Sequence, residues 1–187
     1  LSLTNKVLGN PKNVISAGIN AKSQFNAIKK YQKLNDLDKT LILIPKKDYK
    51  EEIEQAIKDS DFKAKKVFYY DTEPTKLTKQ IEKVTRYQIR KQNLEDEIKR
   101  IENSDEDNKD KKLETLNKKD TLGKIGYDSV VIADFDESLK SVTTSLLYTD
   151  VSPKNINFIS LNQWFDETLF KETASQPISF PSVNKEN

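Results

Sequence analysis

Four short stretches of this 187-residue chain are apolar on consecutive residues, and they limit the fold more than any other feature. Leu41-Ile42-Leu43-Ile44 and Val130-Val131-Ile132 are the clearest, joined by residues 14–17 and 67–70, with a fifth run at 156–161. An unbroken apolar run of four suits a strand covered on both faces, as in a parallel sheet, although a buried helix segment reads the same way by periodicity alone. Between the runs the apolar spacing turns helical. Phe25, Ile28, Tyr31, Gln32 and Leu34 mark one helix, and Tyr49, Ile53, Ala56 and Ile57 a second. Leu139, Val142, Thr143, Leu146 and Leu147 mark a third, and Phe165, Leu169 and Phe170 a short fourth. Strand alternating with helix means right-handed crossovers and a sheet with helices on both faces. The expected class is α/β, a doubly wound parallel sheet.

The interval from about 75 to 119 breaks this rhythm. Leu77, Val84, Lys91 and Ile98 fall seven apart, with Tyr87, Leu94 and Ile101 three further on, a heptad seam with one charged member. Asn103-Ser104-Asp105-Glu106-Asp107-Asn108 is polar and rich in turn formers, and Leu113 and Leu116 then resume an apolar stripe. The pattern predicts an inserted helical hairpin with its tip near 104–108. It reads either as a charged arm packed on itself or as an arm that meets a partner.

Composition narrows the chemistry. Lys and Arg number 32 against 30 Asp and Glu, for a net charge of +2, so no electrostatic case exists for nucleic acid or an anionic membrane. Leu, Ile, Val and Phe total 17, 16, 9 and 8, enough for a packed domain. The chain has no His and no Cys, which removes the commonest general base, the triad relay, thiolate nucleophiles and the usual zinc ligands. Its four glycines are scattered, so neither a dinucleotide fingerprint nor a phosphate loop can be written. No apolar stretch approaches the 18 or so residues of a membrane span. The expectation is a non-enzyme with no cofactor and no metal. The start Leu1-Ser2-Leu3, without Met, reads as an internal piece of a longer protein.

In open parallel sheets ligands bind where loops converge at the carboxyl ends of the strands. That rule selects Lys46 and Tyr49 after the second run, Asp71 after the third, Asp134, Asp136 and Glu137 after the fourth, and Asn162 and Trp164 after the fifth. Aromatic faces with carboxylates and amides suit a small polar ligand. Simpler roles compete. Asp71, Asp134 and Asp136 each precede a predicted helix and suit N-caps, and nothing in their spacing selects an acid–base pair over capping. Tyr49 could complete a helix face, Trp164 could be a packing residue, and Lys46 with Lys47 could be solvated.

Several stretches together resemble one family. Thr85-Arg86-Tyr87 with Arg90 opens the arm and Asp120-Thr121-Leu122-Gly123 closes it. Tyr127-Asp128-Ser129-Val130-Val131-Ile132 follows, then Leu147-Tyr148-Thr149-Asp150-Val151 and the run from Ile156 through Trp164, Phe165 and Asp166. In this order they resemble the penicillin-binding-protein activator family, whose fold is that of the type I periplasmic binding proteins, related to the branched-chain amino-acid receptors. The chain departs from the pattern at Ile159-Ser160-Leu161, where Leu-Gly-Thr is usual. The resemblance implies a first-lobe strand end and hinge crossing over 1–19, the second lobe over 20–174 with the hairpin at about 75–119, and a return crossing over 175–187. It implies a periplasmic location, with a lipid anchor to the outer membrane in the full-length protein, and a penicillin-binding protein as partner. In the receptors a Tyr stacks on the ligand and an acid meets its ammonium group. Tyr49 matches the first role and Asp136 or Glu137 the second, and the ligand carboxylate would fall near Thr4 and Asn5. The alternative reading is a transporter's solute receptor for an amino acid or similar ligand. A third, an enzyme, would need residues outside this chain.

Overall fold

A computed structural model describes residues 20–161, 174 and 176–182. The run at 14–17 and the short helix marked by Phe165, Leu169 and Phe170 lie outside the described residues.

Five parallel strands form one sheet in the order β2-β1-β3-β4-β5: β1 Thr40–Pro45, β2 Lys66–Tyr70, β3 Ser129–Ile132, β4 Asn157–Ser160 and β5 Ile178–Ser179. The central strands β1 and β3 are buried along their whole length, which is why their sequences are apolar without alternation. Period-2 geometry then splits each run between two cores. Leu41, Leu43, Val130, Ile132 and Phe158 face one side. There α3 (Pro74–Val84) and α6 (Asp136–Tyr148) cover them with Leu77, Ile81, Val84, Leu139, Val142 and Leu146. Ile42, Ile44, Val131, Ala133 and Ile159 face the other side, under α1 (Ala21–Leu34) and α2 (Lys50–Asp59), which contribute Phe25, Ile28, Ile53 and Ala56. The doubly wound α/β class expected from the sequence is the observed one.

Local chemistry sets the element ends. Asn20 caps α1, its side-chain oxygen accepting from the Ser23 N–H at 2.8 Å. Pro74 opens α3, where a missing N–H costs nothing. Leu34, which its spacing groups with the buried stripe of α1, is 83% exposed, because the helix ends there and Asn35 and Asp36 turn the chain away. Tyr49 precedes α2, and its ring packs only partly against this core.

The heptad seam does not persist as one helix. Arg86 adopts a left-handed conformation (φ 55°), which ends α3 at Val84 and restarts the chain as α4 (Tyr87–Glu102). Leu77 and Val84 consequently belong to the sheet's core, and only the later seam members Tyr87, Leu94 and Ile101 are buried in α4. The hairpin is α4 paired with α5 (Lys109–Asn117), turning through 103–108. No residue of α5 is fully buried, so this arm is held mainly at its root.

Candidate functional site

The strand order reverses between β1 and β3, the switch point at which loops diverge and a crevice opens beyond the carboxyl ends. Asp134 follows β3 there, with no exposed surface. An ionised carboxylate in such a place must be paired or saturated with hydrogen bonds. Four donors meet it. Oδ1 accepts from the Tyr49 hydroxyl at 2.9 Å, the Phe135 N–H at 3.0 Å and the Lys47 ammonium at 3.2 Å; Oδ2 accepts from the Tyr70 hydroxyl at 2.5 Å. Tyr70 reaches it because β2 pairs with β1 in a register that sets Tyr70 beside Pro45, the last residue of β1. Burial first, and then the Asp134 charge, push both phenols well above the ordinary tyrosine range, so they remain donors.

Lys47 completes the cluster. Its ammonium bonds the Ser138 hydroxyl at 2.7 Å and lies 5.9 Å and 5.7 Å from the ring centroids of Tyr49 and Phe135, themselves 5.4 Å apart. Two rings, a carboxylate and a hydroxyl thus surround a cation that the chain supplies itself. The arrangement offers no proton shuttle. Its one carboxylate is saturated and its phenols are locked as donors.

The residues chosen from the sequence separate in space. Tyr49 and Asp134 come together. Lys46 is exposed and contributes only its N–H, to the Tyr70 carbonyl at 2.9 Å. Asp71 accepts from the Glu73 N–H at 3.0 Å in a turn before α3, with Lys76 at 3.9 Å. Asp136 is exposed and left-handed (φ 51°), and Glu137 is exposed and bonded to Lys140 at 2.8 Å. Phe135 is the N-cap residue of α6 and Glu73 that of α3, neither with a side-chain cap, so none of Asp71, Asp134 and Asp136 is the N-cap that its position suggested. Asn162 and Trp164 lie outside the described residues. Sequence reasoning missed Tyr70 and Ser138, placed Phe135 at the strand end without choosing it as a site residue, and set Lys47 aside as solvated. A Tyr ending a strand next to the switch point was the one available signal for Tyr70.

A second buried charge lies at the arm's root. Arg90, 4% exposed, donates from Nε to the Thr85 carbonyl at 3.1 Å, from Nη1 to the Thr121 hydroxyl at 2.8 Å and from Nη2 to the Thr149 carbonyl. Thr121 in turn donates to Asp150 at 2.5 Å, and the Leu122 N–H donates to the Arg90 carbonyl at 3.0 Å. The rings of Tyr87 and Tyr148 meet beside this joint, tilted at 47° with centroids 5.5 Å apart. The stretches 85–90, 120–123 and 147–151, distant in sequence, therefore meet around one guanidinium.

No protein-family model matches the chain. No curated protein matches it either. Among solved structures it is similar to an extracellular ligand-binding receptor from Verminephrobacter eiseniae, with a TM-score of 0.43 and 8% identity over 76% of this chain. The chain spans 30% of that receptor's length.

Proposed function

We propose that this chain is a non-catalytic, binding-protein-like domain of a cell-envelope protein, and that it regulates peptidoglycan synthesis by contacting a penicillin-binding protein through the α4–α5 arm. The observation that carries this reading is the Arg90 joint. The motifs at 85–90, 120–123 and 147–151 that carry the family resemblance converge there and fix the direction of an exposed arm. A small ligand at the strand ends has no use for such a joint, whereas a protein partner needs the arm held at one angle. The location that goes with this reading is periplasmic, with a lipid anchor in the full-length protein. Among the described residues no helix is long and apolar enough to cross a membrane.

A specific observation also favours the runner-up, a solute receptor. Tyr49, Phe135 and Asp134 form a cation-binding arrangement at the switch point, where such a receptor would hold an amino acid or similar small polar ligand. Against it, Lys47 already fills that arrangement. Asp136 and Glu137, matched by resemblance to the ammonium-binding acid, are exposed, and Glu137 is already bonded to Lys140.

The two readings separate in a capture experiment with the full-length mature protein and a purified bifunctional penicillin-binding protein. The regulatory reading expects capture that is lost when 85–119 is replaced by a short Gly-Ser linker. Absence of capture by the intact protein, together with thermal stabilisation by one amino acid that Tyr49→Ala abolishes, would transfer the assignment to the receptor.

A further inference from the structure

At the opposite, amino ends of β1, β3 and β4 a groove of about 650 Å³ opens between the arm's root and the sheet. That is within the usual size of a small-molecule site. One wall is the loop 121–128, which returns from α5 to β3 and passes through positive φ at Gly123 (109°) and Gly126 (81°). The N–H groups of residues 123–127 meet no acceptor among the described residues, leaving five successive donors for water or a ligand.

The charges around the groove are unequally committed. Lys39, Lys124 and Lys154 border it, each exposed, and their ammonium groups make no hydrogen bond or ion pair among the described residues. The acids are engaged. Asp128 accepts from the N–H groups of Asp38 and Lys39 at 2.9–3.0 Å, and Asp150 accepts from Thr121 with Arg90 3.9 Å away. The three ammonium groups and the row of amide donors thus stand over an apolar floor of Ile125, Val151 and Ile156, outnumbering the two hydrogen-bonded carboxylates.

We infer that this groove binds a small molecule carrying phosphate groups, with the 123–127 amides and the ammonium groups of Lys39, Lys124 and Lys154 as its contacts. Glycine-bearing loops with free amides suit phosphate oxygens, and three untethered lysines supply matching charge without the cost of breaking existing pairs. The site lies at the opposite end of the sheet from the switch-point cluster and borders Arg90, Thr121 and Asp150 of the arm's root.

The test is thermal unfolding of the intact chain with millimolar pyrophosphate, against sulfate at equal ionic strength. The expected result is a saturable rise of a few degrees with pyrophosphate alone. The rise should vanish in Lys39→Gln/Lys124→Gln/Lys154→Gln and persist in Lys22→Gln/Lys33→Gln/Lys79→Gln, which removes the same charge elsewhere. Backbone amide NMR shifts in the wild type should concentrate at residues 123–127. An equal rise with sulfate, equal losses in both triple variants, a rise surviving in the groove variant, or no rise at all would each overturn the site.

Discussion

Asp134 and Arg90 are both buried charges, one at each end of the same sheet, yet they are satisfied by different kinds of partner. Arg90 is held by two backbone carbonyls and a threonine hydroxyl belonging to three separate segments. The two carbonyls cannot leave without moving the backbone. Asp134 is held largely by the ends of side chains: the phenol of Tyr70, itself packed in the core, and the partly exposed Tyr49 and Lys47, which can swing away while the strands stay in place. One is a joint that fixes tertiary structure, and the other is a centre whose ammonium partner can be exchanged. A buried charge by itself therefore says little about function. What matters is whether its partners can be replaced.

The largest test of that contrast is Arg90→Met. It leaves the Thr85 and Thr149 carbonyls buried without their donor, and we expect a loss of about 3–5 kcal/mol in denaturant unfolding. Amide exchange should accelerate over 85–122 and leave β1 and β3 protected. A loss below about 1 kcal/mol would remove the joint's structural role. Asp134→Asn comes next, with an expected cost of about 2–3 kcal/mol, since an amide cannot serve four donors. Lys47→Ala should cost about 1 kcal/mol and open the place between the Tyr49 and Phe135 rings. Propylammonium should then stabilise the variant and leave the wild type unchanged; equal effects on both would mean that the place never held a replaceable cation.

Alkaline titration gives a smaller and signed effect. Tyr49 and Tyr70 keep their protons when folded, whereas in the unfolded chain they lose them near the ordinary tyrosine value of 10.0. The unfolded state then binds fewer protons, so stability should fall as pH rises above about 10. Tyr70→Phe should flatten that fall in urea midpoints measured across this range, and an unchanged slope would place its source elsewhere. Smallest of all is Lys46→Ala. Its side chain is exposed and makes no hydrogen bond or ion pair among the described residues, so a change within about 0.5 kcal/mol is expected.

Much of the sheet was legible in the order of the residues. Consecutive apolar residues at 41–44 and 130–133 require cover on both faces, and helical spacing between them supplies it. The left-handed turn at Arg86 was not legible, because the heptad pattern continues across it and only the pull of the sheet on Leu77, Ile81 and Val84 separates the two helices. In the candidate site Tyr49 and Asp134 could be placed at strand ends, since a strand end follows from a local pattern. The exposure of Asp136 and Glu137 could not, for it depends on how α6 leaves β3.

Local periodicity and turn chemistry are properties of neighbouring residues, and they determined the alternation of strand and helix, the parallel sheet and the short list of residues beyond its carboxyl ends. The pairing of Tyr70 with Asp134, 64 residues apart, and of Arg90 with Thr149, 59 apart, depends on strand order and register. Only the tertiary structure decided these. They follow from burying two apolar faces at once, an energy that no single segment carries.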